Sequence, residues 1–151
     1  MNLLDEHNGL RLVHEYEAVF LEGTEVPVLV VGDHYGDPIG GLIDRECGWV
    51  ASFGEGVQIY RIAKPFTPYS RGTESGQWVT WDVPDHLRYE SHIASVRQEN
   101  DDRLLVSVAG ERPFEILFEV VLSKQSIALV ADGESVREAR DNKRVDDDSR
   151  P

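Results

Sequence analysis

The chain holds a single cysteine, Cys47, so it has no internal disulfide to form and no second thiol with which to build a thiolate metal site. That scarcity fits a reducing compartment. Apolar runs are short as well, and none approaches the roughly 20 residues that a membrane-crossing helix needs. Met1-Asn2-Leu3-Leu4-Asp5-Glu6-His7 turns acidic after four residues, which suits neither the basic nor the apolar part of a secretory leader. A cytoplasmic location is the expectation. Basic residues are scarce too: 15 Lys and Arg stand against 28 Asp and Glu, for a formal net charge of −13. Taking away the 7 acids and 5 bases from Asp132 onward still leaves −11, so the acidity belongs to the body of the chain. Such a surface repels phosphate backbones and anionic lipid, which excludes direct nucleic-acid and membrane partners, and it draws in a basic one.

Signatures of catalysis are equally thin. Cys47 follows Glu46 and lies near Asp44, and acidic neighbours disfavour the thiolate that a nucleophile needs. No Gly-x-Ser-x-Gly is present, and Ser52, Ser70, Ser75 and Ser91 have no neighbouring base in sequence. The five histidines are scattered without a metal-ligand spacing. His34 with Asp33 and Asp37, or Asp85 with His86, would make an acid-base or metal site only if the fold gathered them. Gly54-Glu55-Gly56 superficially matches a phosphate loop, but strand-like Val57-Gln58-Ile59-Tyr60 follows where a helix N-terminus would have to stand. It reads as a hairpin turn. No cofactor and no metal are expected.

What the chain does contain is a series of short apolar runs with polar punctuation. Ile39–Ile43, Trp49–Phe53 and Val57–Tyr60 are separated only by Asp44–Gly48 and Gly54–Gly56, spacing that leaves no room for helices and predicts an antiparallel meander. Leu10–Leu21 alternates like one half-buried strand, with Leu10, Leu12, Tyr16, Ala18 and Phe20 on one side, and Val26–Val31 returns after a turn at 22–25. Lys64–Gly76 carries two prolines and two glycines and reads as a long connection. Gln77–Val83 resumes as a strand with Trp78 and Trp81 on opposite faces. Beyond a turn at Pro84–Glu90, strands are expected from Ser91, over Arg103–Ala109, over Phe114–Leu122 with Phe114, Ile116, Phe118, Val120 and Leu122 inward, and over Ser126–Ala131. The sum is an all-β fold of about ten short antiparallel strands, a sandwich or a partly closed barrel. Residues 1–131 form one β-rich domain, and the polar stretch 132–151 is an acidic tail expected to be disordered.

The aromatic and acidic residues around the long connection suggest a binding face. Tyr69 and Trp78 supply apolar anchors, with Phe66 nearby. Asp44, Glu46, Glu55 and Glu74 supply the charge, the pattern of a protein interface with a few anchors in a polar rim. Ile39-Gly40-Gly41-Leu42-Ile43-Asp44, Gly48-Trp49-Val50, Gly54–Tyr60, Pro65-Phe66 with Tyr69, and Gln77-Trp78 together make this chain resemble, over about its middle third, the small acidic immunity proteins encoded beside bacterial contact-dependent and polymorphic toxins. That resemblance implies a non-enzymatic, toxin-neutralising role: the protein binds a cognate basic toxin domain, often a nuclease, and covers its active surface. Two other classes compete with it, a β-sandwich module in which Trp78 and Tyr69 stack on a carbohydrate or other small ligand, and a small hydrolase using His34 or His86.

Overall fold

Two consecutive strands, Trp49–Phe53 and Gly56–Arg61, are buried along almost their whole length on both faces, which places them in the middle layer of the protein rather than on a half-solvated sheet. The computed structural model describes residues 1–23, 26–84 and 91–131. It contains twelve strands and, among the described residues, no helix. None is therefore long and apolar enough to cross a membrane.

Each group of four successive strands forms its own antiparallel meander. The first sheet comprises β1 (Asn2–His7), β2 (Leu10–Glu15), β3 (Ala18–Gly23) and β4 (Leu29–Asp33). The middle sheet comprises β5 (Gly40–Ile43), β6 (Trp49–Phe53), β7 (Gly56–Arg61) and β8 (Trp78–Asp82). The last comprises β9 (Ser91–Asn100), β10 (Arg103–Gly110), β11 (Phe114–Leu122) and β12 (Ile127–Ala131). None of them closes on itself, so of the two expected architectures the sandwich is the one adopted, with a third layer added.

Side-chain alternation in the middle sheet explains the layering. Trp49, Ala51, Phe53, Val57 and Ile59 share one core with Ile93, Leu104, Val106, Ile116 and Phe118 of the last sheet. Ile43, Val50, Tyr60 and Trp78 point the other way and share a second core with Leu12, Val19, Leu21, Leu29 and Val31 of the first sheet. Successive strand residues face opposite sides, so the middle sheet is covered on both faces. The two tryptophans of β8 follow that rule: Trp78 enters the core shared with the first sheet, and Trp81 packs edge-on to Phe118 at 5.2 Å in the core shared with the last.

Several boundaries differ from those expected. Leu10–Leu21 is two strands, because the chain reverses at Tyr16-Glu17 with Tyr16 in the left-handed region at φ 53°. The reversal changes which parity faces inward, so Val19 and Leu21 are buried where Ala18 and Phe20 were expected. β1 is additional, joined to β2 through Asn8-Gly9, both at positive φ, as a two-residue hairpin requires. β4 begins only after Pro27. Leu122 is 45% exposed rather than inward: its cross-strand partner Ile127 is buried, but Leu122 itself lines a surface notch. Residues 85–90, with Asp85 and His86, and the tail from Asp132 lie outside the described residues.

Lys64–Gly76 is a tied strap rather than a free loop. It is held by Tyr69 N–H donating to Val30 O at 2.8 Å, by the Tyr60 hydroxyl donating to Thr67 O and by Trp78 Nε1–H donating to Thr73 O at 3.0 Å.

Candidate functional site

The six residues expected to form one binding face fall in three places. Asp44 and Glu46 lie together, on the connection between β5 and β6. Its geometry is built by Asp44, whose N–H donates to Trp49 O at 2.9 Å and whose carbonyl accepts from Cys47 N at 2.8 Å. The carboxylate completes the turn: Oδ2 accepts the Gly48 N–H at 2.9 Å and Oδ1 accepts Gln98 Nε2 at 2.8 Å. At 3% exposure Asp44 is a satisfied interior carboxylate that fixes the turn against β9. Gln98 uses its other end too, accepting the Arg45 N–H through Oε1 at 3.2 Å.

That junction opens into an acidic notch of about 410 Å³, lined by Asp44, Glu46, Asp101, Asp102 and Glu119 and floored by Val121 and Leu122. The two aliphatic side chains are 41% and 45% exposed, so the notch pairs apolar surface with a surplus of carboxylates. Counter-charge is sparse. Arg45 reaches Asp101 at 3.6 Å between two well-exposed side chains, a pairing of little energetic weight in solvent, and Arg103 stands opposite Glu119 in the β10–β11 register.

Glu55 stands elsewhere, at the tip of the β6–β7 hairpin. Gly54-Glu55-Gly56 is followed by a strand, as its sequence suggested. The hairpin borders a cleft of about 310 Å³ lined also by Tyr35, Asp82, Val83, Ser91 and His92.

Tyr69, Glu74 and Trp78 belong to the strap and β8. Trp78, only 8% exposed, stacks on Tyr60 at 6.2 Å between ring centroids and meets Tyr69 at 5.1 Å. Its ring therefore closes the core between the first and middle sheets instead of offering a face to a partner or a sugar. Tyr69 is half-buried, and burial pushes its phenol above the ordinary value. Glu74 is exposed on the strap. Among the described residues no three His, Cys, Asp or Glu side chains converge as metal ligands.

His34 and Asp33, named from sequence as part of a possible acid-base site, do lie together, but with Ser52, Gln58 and Arg71, which the sequence alone did not group with them. His34, 3% exposed, and Ser52, 2% exposed, meet across the first and middle sheets, with His34 Nε2 2.8 Å from Ser52 Oγ. Beside them Gln58 Oε1 accepts the Asp33 N–H at 2.8 Å and Gln58 Nε2 donates to Asp33 O at 2.7 Å. From the strap, Arg71 donates to His34 O at 2.8 Å, pairs with Asp33 Oδ1 at 3.2 Å and lies 4.1 Å over the Tyr35 ring. Burial, seconded by the Arg71 charge, lowers the His34 pKa to about 4. A serine and a histidine at this distance have the form of a nucleophile and its base. Neither is open to a substrate, however, and so weak a base holds few protons to trade near neutrality. The arrangement joins layers. Its members come from segments 18 and 25 residues apart, so only the folded chain brings them together.

The acidic notch is thus the place where an expected pair of residues, open apolar surface and a surplus of carboxylates coincide. No family model matches this chain, and no curated protein or solved structure matches it either.

Proposed function

We propose that this protein acts by binding a basic protein partner, as an immunity protein that neutralises a cognate toxin domain by covering its active surface. The observation that carries the reading is the acidic notch. Asp44 and Glu46, expected from sequence as interface residues, join Asp101, Asp102 and Glu119 around the exposed Val121 and Leu122. Lysines or arginines that a nuclease offers to phosphate would meet the exposed Glu46, Asp101, Asp102 and Glu119, on a turn that the buried Asp44 holds in place, while an aliphatic or aromatic side chain covers the floor. Opposite fields of this kind speed encounter and fix register, and the buried apolar contacts supply affinity. The overall charge of −13 and the resemblance of the middle third to acidic immunity proteins support the same reading.

The test is calorimetric titration of the protein with the C-terminal domain of a secreted toxin encoded beside it. A stoichiometric complex that blocks the toxin's activity, and that weakens when Glu46 and Asp101 are changed to lysine, is the expected result. Inhibition unaltered by those changes would remove the notch from the interface, and absence of any complex would reject the immunity reading.

A further inference from the structure

The core between the first and middle sheets is not filled to its end. Leu10, Cys47, Ile62 and Phe66 pack against it yet stay partly exposed, and with Val26 and Lys64 they surround an open cleft of about 850 Å³ beneath the Asn8-Gly9 turn. Leu10, Val26, Ile62 and Phe66 give the cleft an apolar wall beside the polar Asn8, Lys64 and turn backbone, so it suits a body with both an apolar and a polar part, the apolar part gaining by displacing water from that wall. Its volume falls inside the range of roughly 300–1,000 Å³ typical of small-ligand clefts.

Charge narrows the class of ligand. The acidic notch carries five carboxylates and the Tyr35 cleft carries Glu55 and Asp82, whereas the described lining of this cleft holds one cation, Lys64, and no carboxylate. Lys64 is thus the charged group that the described lining offers to a ligand. Asn8 and the backbone of the turn add hydrogen-bonding groups at the rim.

We infer that this cleft binds a small amphipathic carboxylate, an acyl or aryl acid whose apolar body lies on Leu10, Val26, Ile62 and Phe66 and whose carboxylate pairs with the Lys64 ammonium. The site is separate from the acidic notch, and the inference stands whether or not the toxin-binding reading does.

Cys47 makes the test direct, because the chain's only thiol is part of the wall. Alkylation of Cys47 by N-ethylmaleimide, an uncharged reagent, is followed by mass spectrometry on the full-length protein with increasing decanoate below its micellar concentration. Decanoate is expected to slow alkylation at least about fivefold at saturation, since an occupied cleft shields the thiol. Lys64→Glu should raise the half-protecting concentration by roughly tenfold or more through loss of a charge-assisted contact, and Lys64→Arg should keep it near the parent value. Lys64 is exposed, so neither change threatens folding. Undiminished alkylation at every decanoate concentration would overturn the site. Equal protection of the Lys64→Glu protein, or equal protection by the neutral 1-decanol, would overturn the carboxylate.

Discussion

His34 Nε2 stands 2.8 Å from Ser52 Oγ across the interface of the first and middle sheets, and both side chains are almost wholly buried. Around them the core is aliphatic and aromatic, so this pair and the neighbouring Gln58–Asp33 contacts are polar stitches inside the packed interface, while the Ile43 N–H donating to Asp5 Oδ2 at 2.8 Å ties the same two sheets at β1 and β5. Arg71 extends the stitching to the strap through the His34 carbonyl and the Asp33 carboxylate. Polar contacts with demanding geometry fix the register of one sheet over the other, which hydrophobic burial alone leaves loose.

The first prediction concerns acid. Burial holds the His34 pKa at about 4 against 6.5 in the unfolded chain, so between these values the unfolded state binds the extra proton. Stability is fully present above pH 6.5 and falls as the pH drops towards 4, with a slope approaching roughly 1.4 kcal/mol per pH unit and a ceiling near 3 kcal/mol. Urea unfolding of the parent and of His34→Gln at intervals from pH 7 to pH 5 measures it. The variant should be less stable at pH 7 and should lack most of this slope. Parallel pH profiles would refute the assignment.

A second prediction follows from Gly32, which sits beneath the same stitches. A Cβ built there would lie 2.8 Å from Gln58 Oε1 and 2.9 Å from Ser52 Oγ, closer than carbon and oxygen tolerate. Gly32→Ala should therefore displace Gln58 from the Asp33 backbone, costing about 1–3 kcal/mol by overpacking and lost hydrogen bonds. Gly54→Ala is the control, because its nearest neighbour is His34 Nδ1 at an ordinary 3.6 Å. Thermal unfolding that ranks the two equally would contradict this account.

Asp44 and Glu46 give a third. They are two residues apart and both were read from sequence as interface carboxylates, yet Asp44 is buried with donors on both oxygens and Glu46 is exposed. Asp44→Ala strands the Gly48 N–H and one end of Gln98, and should cost about 1–3 kcal/mol. Glu46→Ala should stay within roughly 0.5 kcal/mol of the parent. Charge reversal at Asp44 is consequently no clean probe of binding, because loss of affinity there would be mixed with loss of the turn. Guanidinium titrations of both variants decide the matter.

The strands themselves were largely legible. Phe114–Leu122 has an apolar residue at every second position, and Ile116, Phe118 and Val120 are buried accordingly. The glycine-bearing connections around Trp49–Phe53 announced the middle meander. Two signals went unused: Asn8-Gly9, a strong hairpin dipeptide, marks the β1–β2 turn, and the uninterrupted apolar Trp49-Val50-Ala51 marks a strand covered on both faces. The candidate site was less legible. Sequence proximity gathered Tyr69, Glu74 and Trp78 near the acids, but the pleat sends Trp78 into a core. Asp101, Asp102 and Glu119 reach Asp44 and Glu46 only through the packing of the last sheet on the middle one, a tertiary relation that no local pattern encodes.

The last prediction isolates the notch by its electrostatics. Glu46, Asp101 and Glu119 are exposed, so changing all three to lysine reverses the local field with little effect on folding. If the notch meets a basic toxin domain, association of the parent protein should slow steeply as salt rises, because long-range attraction is screened beyond about 10 Å at 0.1 M ionic strength. The triple variant should associate roughly 10–100-fold more slowly at low salt and lose most of that salt dependence. Dissociation should change less, since Val121 and Leu122 still cover the apolar contact. Glu46→Lys and Glu74→Lys give the charge-matched comparison: each shifts the net charge by the same amount, but Glu74 lies on the strap, away from the notch lining, and should alter association far less than Glu46. Stopped-flow kinetics across a salt series separates the two. A Glu74 effect as large as that of Glu46→Lys would mean that the partner responds to net charge alone.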